Sequence, residues 1–311
     1  MKLLYISLFF FAANAFSEQA KPESSPILDG AYASHSFVSK QILILTNYFD
    51  SFFGDKKNLE VHNGSALRFY HITTKSEGAK VENEFAYSFN LGLPNLQRKL
   101  QLSIEKNSDT QIQATTQQEG ALQTEAGRDN ESTRVGVGVL LKPFLNWNVK
   151  LTGGVKAQLP PIPFAQLLFS RVIEIGKWNM RLVPRFFWNK QDSYGQSFTA
   201  DFDRRLSKFL LFRFSNEQTW LDNDQILRTS HGPSLFQSLT DKISVSYNIR
   251  ALFSDDPNFR LLNYNASISY RQNILKRWLF YEVIPSLGIS KRDFNLTPSA
   301  SIKFELVFGS I

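Results

Sequence analysis

Arginines lie inside apolar stretches of this chain that alternate with a period of two, and their spacing gives the first chemical hypothesis. Residues 178–188 read W-N-M-R-L-V-P-R-F-F-W, so Arg181 and Arg185 share one face of an extended segment. The opposite face begins and ends with tryptophan, which is typical of a strand that crosses a bilayer between two aromatic girdles. The pattern repeats along most of the chain, and it predicts a charged, enclosed inner face.

Two interpretations of these inward charges remain open. Rings of charged side chains make ion-selective constrictions. Enclosed charges are also retained where they are paired, and arginine suits bidentate pairing with carboxylates, which would fill a narrow lumen with salt bridges. Glu105 and Glu305 share the same face. The candidate lumen-lining residues are Arg68, Glu84, Arg134, Arg181, Arg185, Asp201, Asp203, Arg213, Glu217, Arg250, Arg271 and Glu282.

Histidine and cysteine usage argues against a metal or catalytic centre. The chain has no cysteine, which excludes disulfides and thiol chemistry. Its four histidines lack metal-ligand spacing, so neither a metal nor a cofactor is predicted. A lipid-acting barrel enzyme would need a histidine and a serine on adjacent outward positions at the rim. The nearest motif, H-G-P-S at 231–234, is more typical of a bent strand. No enzymatic activity is therefore expected.

The N-terminus has the features of an export signal. Met1-Lys2 precedes an apolar run from Leu3 to Ala13, and A-N-A at 13–15 predicts cleavage after Ala15. No later stretch approaches the roughly 20 apolar residues of a spanning helix, so membrane residence would require a barrel. Export also argues against nucleic acid as the partner of a chain with a net charge of +7. Anionic lipid or anionic solutes fit that charge better.

A short helix is predicted ahead of the strands, within a periplasmic lead-in at 16–64. Apolar residues at spacings of three and four, such as Ile44 and Tyr48, indicate an amphipathic helix at about 36–53, with Gly54 as its C-terminal cap. This helix would plug or gate the lumen or bind a periplasmic partner. Alternatively, it would lie against the barrel mouth or the membrane interface and bury its apolar stripe there.

The rest of the chain, 65–311, predicts an all-β fold: an antiparallel transmembrane β-barrel of the outer membrane with about fourteen strands. Alternation, not average hydropathy, carries this inference. Twelve or sixteen strands remain possible, because any even number of strands leaves both ends of the barrel sequence at the same rim. Short connections after even strands and long polar ones after odd strands predict that both termini face the periplasm. The predicted strands are 65–75, 81–93, 98–106, 132–142, 145–157, 161–175, 178–190, 196–206, 208–221, 225–238, 241–252, 260–273, 276–290 and 297–309.

Several segments resemble a known group of proteins. They are Y-F-D-S-F-F-G-D at 48–55, N-G-S at 63–65, L-P-N-L at 93–96, S-Y-R-Q-N-I-L-K-R-W-L-F-Y-E-V at 269–283 and F-E-L-V-F-G at 304–309. On these segments the chain resembles a family of uncharacterised Gram-negative outer-membrane β-barrel proteins that share the D-S-F-F-G-D helix motif. The resemblance implies a barrel behind a short periplasmic helix, and it transfers no catalytic or binding residues.

These observations lead to an ordered set of functional expectations. The first is a narrow outer-membrane channel for small polar or anionic solutes in a Gram-negative bacterium. The alternative is a non-conducting structural or assembly-linked barrel with a salt-bridged lumen, and a lipid-acting barrel enzyme comes third. The expected partners are outer-membrane lipid and the barrel assembly machinery, which would read the C-terminal strand ending at Phe308. The oligomeric state is left open.

Overall fold

Fourteen antiparallel strands form a closed barrel, in which each strand pairs with its sequence neighbours and the first pairs with the last. The computed structural model describes residues 65–93, 100–106, 133–144, 147–191, 193–207, 209–256, 258–275, 278–290 and 295–309. The strands are β1 (Ala66–Ser76), β2 (Val81–Leu93), β3 (Leu100–Lys106), β4 (Thr133–Phe144), β5 (Trp147–Ala157), β6 (Ile162–Ile175), β7 (Trp178–Asn189), β8 (Ser193–Ser207), β9 (Leu210–Leu221), β10 (Leu227–Thr240), β11 (Ile243–Ser254), β12 (Arg260–Leu275), β13 (Leu279–Ser290) and β14 (Leu296–Gly309).

The predicted fold class is confirmed, with fourteen strands rather than twelve or sixteen. β6 and β10, whose alternation in the sequence is poor, are full members of the barrel. The signal segment 1–15 and the helix predicted at about 36–53 lie outside the described residues. No α-helix long and apolar enough to cross a bilayer occurs in the part of the chain that the structure describes.

The two rims of the barrel differ in the length of their connections. Links of two or three residues follow β4, β6, β8, β10 and β12, and we call this rim the short-turn end. It also carries Ala66 and Gly309, the outer ends of β1 and β14. Gly176 in the two-residue turn after β6 has a φ of +60°, which glycine adopts without steric cost. The opposite rim is the long-loop end.

The two faces of each strand reverse the arrangement of a soluble protein. On β14, Ile302 and Phe304 are 46% and 47% exposed, whereas Lys303 between them is only 1% exposed. Cross-strand pairing carries these two faces around the whole barrel, because directly opposed residues point to the same side. The outward sets predicted from alternation, such as Tyr247 and Ile249 on β11, are confirmed.

Aromatic side chains form a girdle on the outward face near each rim. At the short-turn end, Arg171 lies over the Trp147 ring at 5.9 Å and Arg204 lies over the Trp178 ring at 5.4 Å. At the long-loop end, Tyr194 and Trp220 lie 6.2 Å apart. An apolar band between two such girdles, around a polar interior, is the architecture of a transmembrane barrel.

Candidate functional site

Strand register places all twelve candidate lumen-lining residues on the inward face. It brings two pairs of them together near the short-turn end. Arg181 on β7 donates to Asp201 on β8 at 2.5 Å, and Arg213 on β9 donates to both oxygens of Asp203 at 2.6 and 2.7 Å. These contacts join neighbouring strands, so this part of the wall is neutralised by cross-strand ion pairs.

A second group of charges, the Arg271 cluster, consists of Arg271, Glu282, Lys303 and Glu305 on β12, β13 and β14. Arg271 lies 3.4 Å from Glu282 and 2.7 Å from Glu305. Lys303 lies 3.8 and 3.6 Å from the same two carboxylates. Glu282 also accepts a very short hydrogen bond from Ser269. The charges of the two cations balance those of the two buried carboxylates. Enclosed charges are tolerated when they are paired in this way.

The Arg271 cluster forms part of the wall of a larger inner space at the short-turn end, which we call the short-turn cavity. Its volume is about 550 Å³. Its lining is drawn from β8 to β14 and from β1, so it spans more than half of the barrel circumference. Hydroxyl groups such as Ser246 and Ser269, the ring of Phe280 and three guanidinium groups face it.

The three guanidinium groups of the cavity differ in their partners. Arg271 is neutralised within its cluster and lies 4.5 Å over the Phe280 ring. Arg68 lies beside the phenol group of Tyr70. Arg205 makes no hydrogen bond or ion pair with any residue that the structure describes, and its side chain is exposed. Both carboxylates of the cavity, Glu282 and Glu305, face Arg271 and Lys303. Arg68 and Arg205 therefore leave the cavity with a net positive field.

The remaining candidates lie away from this cavity. Arg134 and Glu84 lie towards the long-loop end, and so do Glu217 and Arg250, whose guanidinium donates to the Ser215 carbonyl at 3.1 Å. None of these four side chains lines the short-turn cavity. The charged inner wall is thus divided into two zones along the barrel axis.

Several inward cations were missed by sequence reasoning. The alternation of inward and outward residues along each strand, with a period of two, would have identified them. Arg205, for example, follows Asp203 by two positions and pairs across to Leu211 on the inward face. The missed residues are Lys150, Lys156, Arg205 and Arg228.

The two described histidines, His71 and His231, both face outward. Among the described residues, no group of three or more His, Asp or Glu side chains is arranged to hold a metal ion. β10 passes through Gly232 and Pro233 without a register shift at that point. Gly232 is required by close packing, because a Cβ there would lie 1.9 Å from the Ile249 carbonyl oxygen.

The barrel is similar to several solved outer-membrane barrels. A loop-deletion mutant of OmpT, an outer membrane protein of Vibrio cholerae, has a TM-score of 0.47 at 8% identity, over 79% of this chain and 99% of that one. OpdK of Pseudomonas aeruginosa with vanillate gives 0.45 at 7% identity, over 78% and 98%. These likenesses concern the fold alone. No protein-family model matches the sequence, and no curated protein matches it.

Proposed function

We propose that this protein is an outer-membrane channel for small polar or anionic solutes. The observation that carries the proposal is the short-turn cavity, where Arg68 and Arg205 have no carboxylate partner among the described residues. A barrel of eight strands is filled by its own side chains, whereas sixteen to eighteen strands leave an aqueous channel. Fourteen strands fall between these limits, which suits a narrow pore.

Charge supports the anionic preference. The chain carries a net charge of +7, and the inward face contributes to it. The described inward cations are Arg68, Arg134, Lys150, Lys156, Arg181, Arg185, Arg205, Arg213, Arg228, Arg250, Arg271 and Lys303. The carboxylate residues at inward register positions are fewer: Glu82, Glu84, Glu105, Glu174, Asp201, Asp203, Glu217, Glu282 and Glu305. An excess of fixed cations raises the local concentration of anions in a confined space.

The Arg271 cluster favours the second candidate, a non-conducting barrel with a salt-bridged lumen. Its four charges form ion pairs with one another, and Lys303, Glu282 and Glu305 are almost fully shielded from solvent, so they contribute to wall structure more than to the field in the lumen. The two candidates differ in whether the inner space beside this cluster is continuous from rim to rim.

Orientation and partners belong to the same proposal. The short-turn end would face the periplasm, which places both barrel termini there and the longer loops outside. Phe308 lies on the outward face of β14, 6.2 Å from Phe69 of β1 and 6.4 Å from Trp278. This rim position suits recognition of the last strand by the assembly machinery and contact with outer-membrane lipid.

Planar-bilayer recording of the refolded mature chain tests the proposal. Single-channel steps are expected, with a reversal potential in a KCl gradient that indicates anion preference. Arg205→Ala combined with Arg68→Gln should shift that potential towards cations, because both guanidinium groups act through their field. Arg204→Ala is the matched control, since Arg204 neighbours Arg205 in sequence but lies outside over Trp178.

Each alternative result has a definite meaning. An unmutated protein that never conducts, with or without residues 16–57, excludes the channel and favours the structural barrel. Conductance that appears only after deletion of 16–57 shows that the lead-in blocks the pore. A large conductance with unchanged selectivity in the double variant shows a wide lumen in which salt screens these arginines.

A further inference from the structure

Three polar side chains on the outward face form a hydrogen-bonded chain that is separate from the lumen. Asn216 Oδ1 on β9 lies 2.7 Å from His231 Nδ1 on β10. His231 Nε2 lies 3.1 Å from the hydroxyl of Thr229, two residues earlier on the same strand. Register places all three outside the barrel, because Asn216 opposes His231 and neighbouring Ser215 and Ser230 face inward. Polar groups on a lipid-facing surface are costly and mark functional sites.

The two contacts allow more than one tautomer of His231, and a nucleophilic Thr229 requires the one with the ring proton on Nδ1, facing the Asn216 amide oxygen. In that tautomer the amide oxygen accepts the Nδ1 proton, the neutral ring has a lone pair on Nε2, and the Thr229 hydroxyl donates to it. The three groups are therefore arranged as in a catalytic triad. The hydroxyl is the nucleophile, the imidazole is its base, and the amide holds the imidazole in position.

The chain of contacts lies at the depth of lipid ester groups. Gln218 opposes Thr229, and Trp220 of the long-loop girdle follows Gln218 by two residues on β9. Strands rise about 3.3 Å per residue and tilt by about 40°, so Thr229 lies about 5 Å inside the girdle. Aromatic girdles mark the headgroup level, and the acyl esters of membrane lipids begin just below it.

The surroundings of the hydroxyl suit an acyl chain and a developing oxyanion. The Phe253 ring lies 5.8 Å from the His231 ring and stacks at 5.4 Å on Phe259, which forms an apolar wall. The Gln218 side chain is exposed and makes no hydrogen bond with a described residue, so its amide group is available beside Thr229. Thr229 itself is 3% exposed, so an ester reaches its hydroxyl only after neighbouring side chains move.

We propose that Thr229 is the nucleophile, and His231 the general base, of a site that cleaves acyl esters of membrane lipid, with Asn216 as the positioning residue. Thr229 Oγ1 attacks the ester carbonyl carbon while its proton passes to His231 Nε2. The carbon–alkoxy bond then breaks, and the leaving alcohol takes that proton. Water attacks the acyl-threonine with His231 again accepting a proton, and the fatty acid leaves as Thr229 regains its hydrogen.

The test uses the full mature chain refolded into vesicles of phosphatidylethanolamine and phosphatidylglycerol, with released fatty acid measured by mass spectrometry. A parallel arm with lipid A vesicles distinguishes the two sources of acyl ester. Thr229→Val, which keeps the shape and removes the hydroxyl, should lower acyl release at least about 100-fold. Thr229→Ser should retain it. Gln218→Leu should lower it about 100-fold if its amide stabilises the oxyanion.

The barrel provides a matched control on the opposite side of its outer surface. His71, Thr73 and Asn83 are the same residue types, also outward and towards the long-loop end. There the Thr73 hydroxyl donates to Asn83 at 2.7 Å, and His71 Nε2 lies 3.4 Å from it. That hydroxyl has given its proton to an amide, so Thr73→Val should leave acyl release unchanged.

Asn216 is tested by rescue. Asn216→Leu should abolish acyl release, whereas Asn216→Asp keeps an acceptor oxygen for His231 Nδ1 and should restore it. Heat-modifiable migration on gels shows that each variant has folded. No acyl release from the unmutated protein on either lipid, or undiminished release from Thr229→Val, overturns the proposal. Channel conductance depends on the inward face and is a separate readout.

Discussion

Arg181 and Asp201 face each other across β7 and β8 on the inner wall, with 2.5 Å between guanidinium and carboxylate. The Asp201 side chain is 5% exposed and that of Arg181 is 46% exposed. The arginine therefore reaches water in the lumen while it neutralises a carboxylate that has almost none. The contact shows that at least one inward arginine supports the wall as well as facing the lumen.

Loss of this arginine should destabilise the barrel. Arg181→Ala leaves a buried carboxylate unpaired, which should lower the free energy of unfolding by about 2 kcal/mol. Urea unfolding in detergent micelles measures the loss. Arg185→Ala is the control, because Arg185 donates only to the neutral Ser197 at 3.0 Å and should cost about 1 kcal/mol or less. Equal losses would contradict the difference in partners, and adding Asp201→Ala should restore stability to Arg181→Ala.

The Arg271 cluster should be sensitive to charge balance. Lys303→Met leaves Glu282 and Glu305 with a single cation, and it should lower the free energy of unfolding by about 3 kcal/mol. Chemical denaturation followed by tryptophan fluorescence would report it. Combining Lys303→Met with Glu305→Gln restores the balance and should recover most of the loss. Arg205→Ala, which breaks no ion pair with a described residue, should change stability by less than about 0.5 kcal/mol.

The assignment of faces predicts opposite tolerance to charge. Phe304→Arg on the outward face of β14 should cost about 2–4 kcal/mol if the position lies near mid-bilayer. Val172→Arg replaces an inward side chain that is 61% exposed to the lumen, and it should cost less than about 1 kcal/mol. Refolding yield and unfolding free energy in lipid vesicles compare the two variants. A larger loss at Val172 would reverse the faces of these strands.

Gly232 should tolerate no side chain, because its added Cβ would collide with the backbone of β11. Gly232→Ala should cost about 1–3 kcal/mol through overpacking. Gly153→Ala is the control, since the nearest atom to its new Cβ is the Phe164 oxygen at 4.0 Å. Thermal unfolding on gels separates the two, and a harmless Gly232→Ala would mean that β10 and β11 move apart readily.

The strand count, the two faces and the inward candidates were accessible from sequence, because a period of two is a local property of the chain. Pairing was not accessible. Arg271 contacts Glu305 across two strand boundaries, from β12 to β14, and the tilt of a closed barrel sets which residues meet at that distance.

The outward chain of Asn216, His231 and Thr229 shows a second limit. The H-G-P-S motif at 231–234 suggests only Ser234 as a partner for His231, and Ser234 faces inward. The hydroxyl that contacts His231 belongs to Thr229, which precedes it. The amide belongs to Asn216 on β9, and the loop at 222–226 sets the register that brings it opposite His231. Non-local register is decided by turn geometry, which residue types alone do not specify.

The two Arg–Trp contacts at the short-turn girdle fix how deep the barrel sits in the bilayer. Each guanidinium, on Arg171 and Arg204, is held over an indole ring at the level where lipid phosphates lie. The Tyr194–Trp220 pair at the long-loop girdle consists of two uncharged aromatic side chains. We therefore expect annular lipids at the short-turn rim to be bound by charge as well as by shape. In a bilayer of mismatched thickness, deformation would concentrate at the long-loop leaflet.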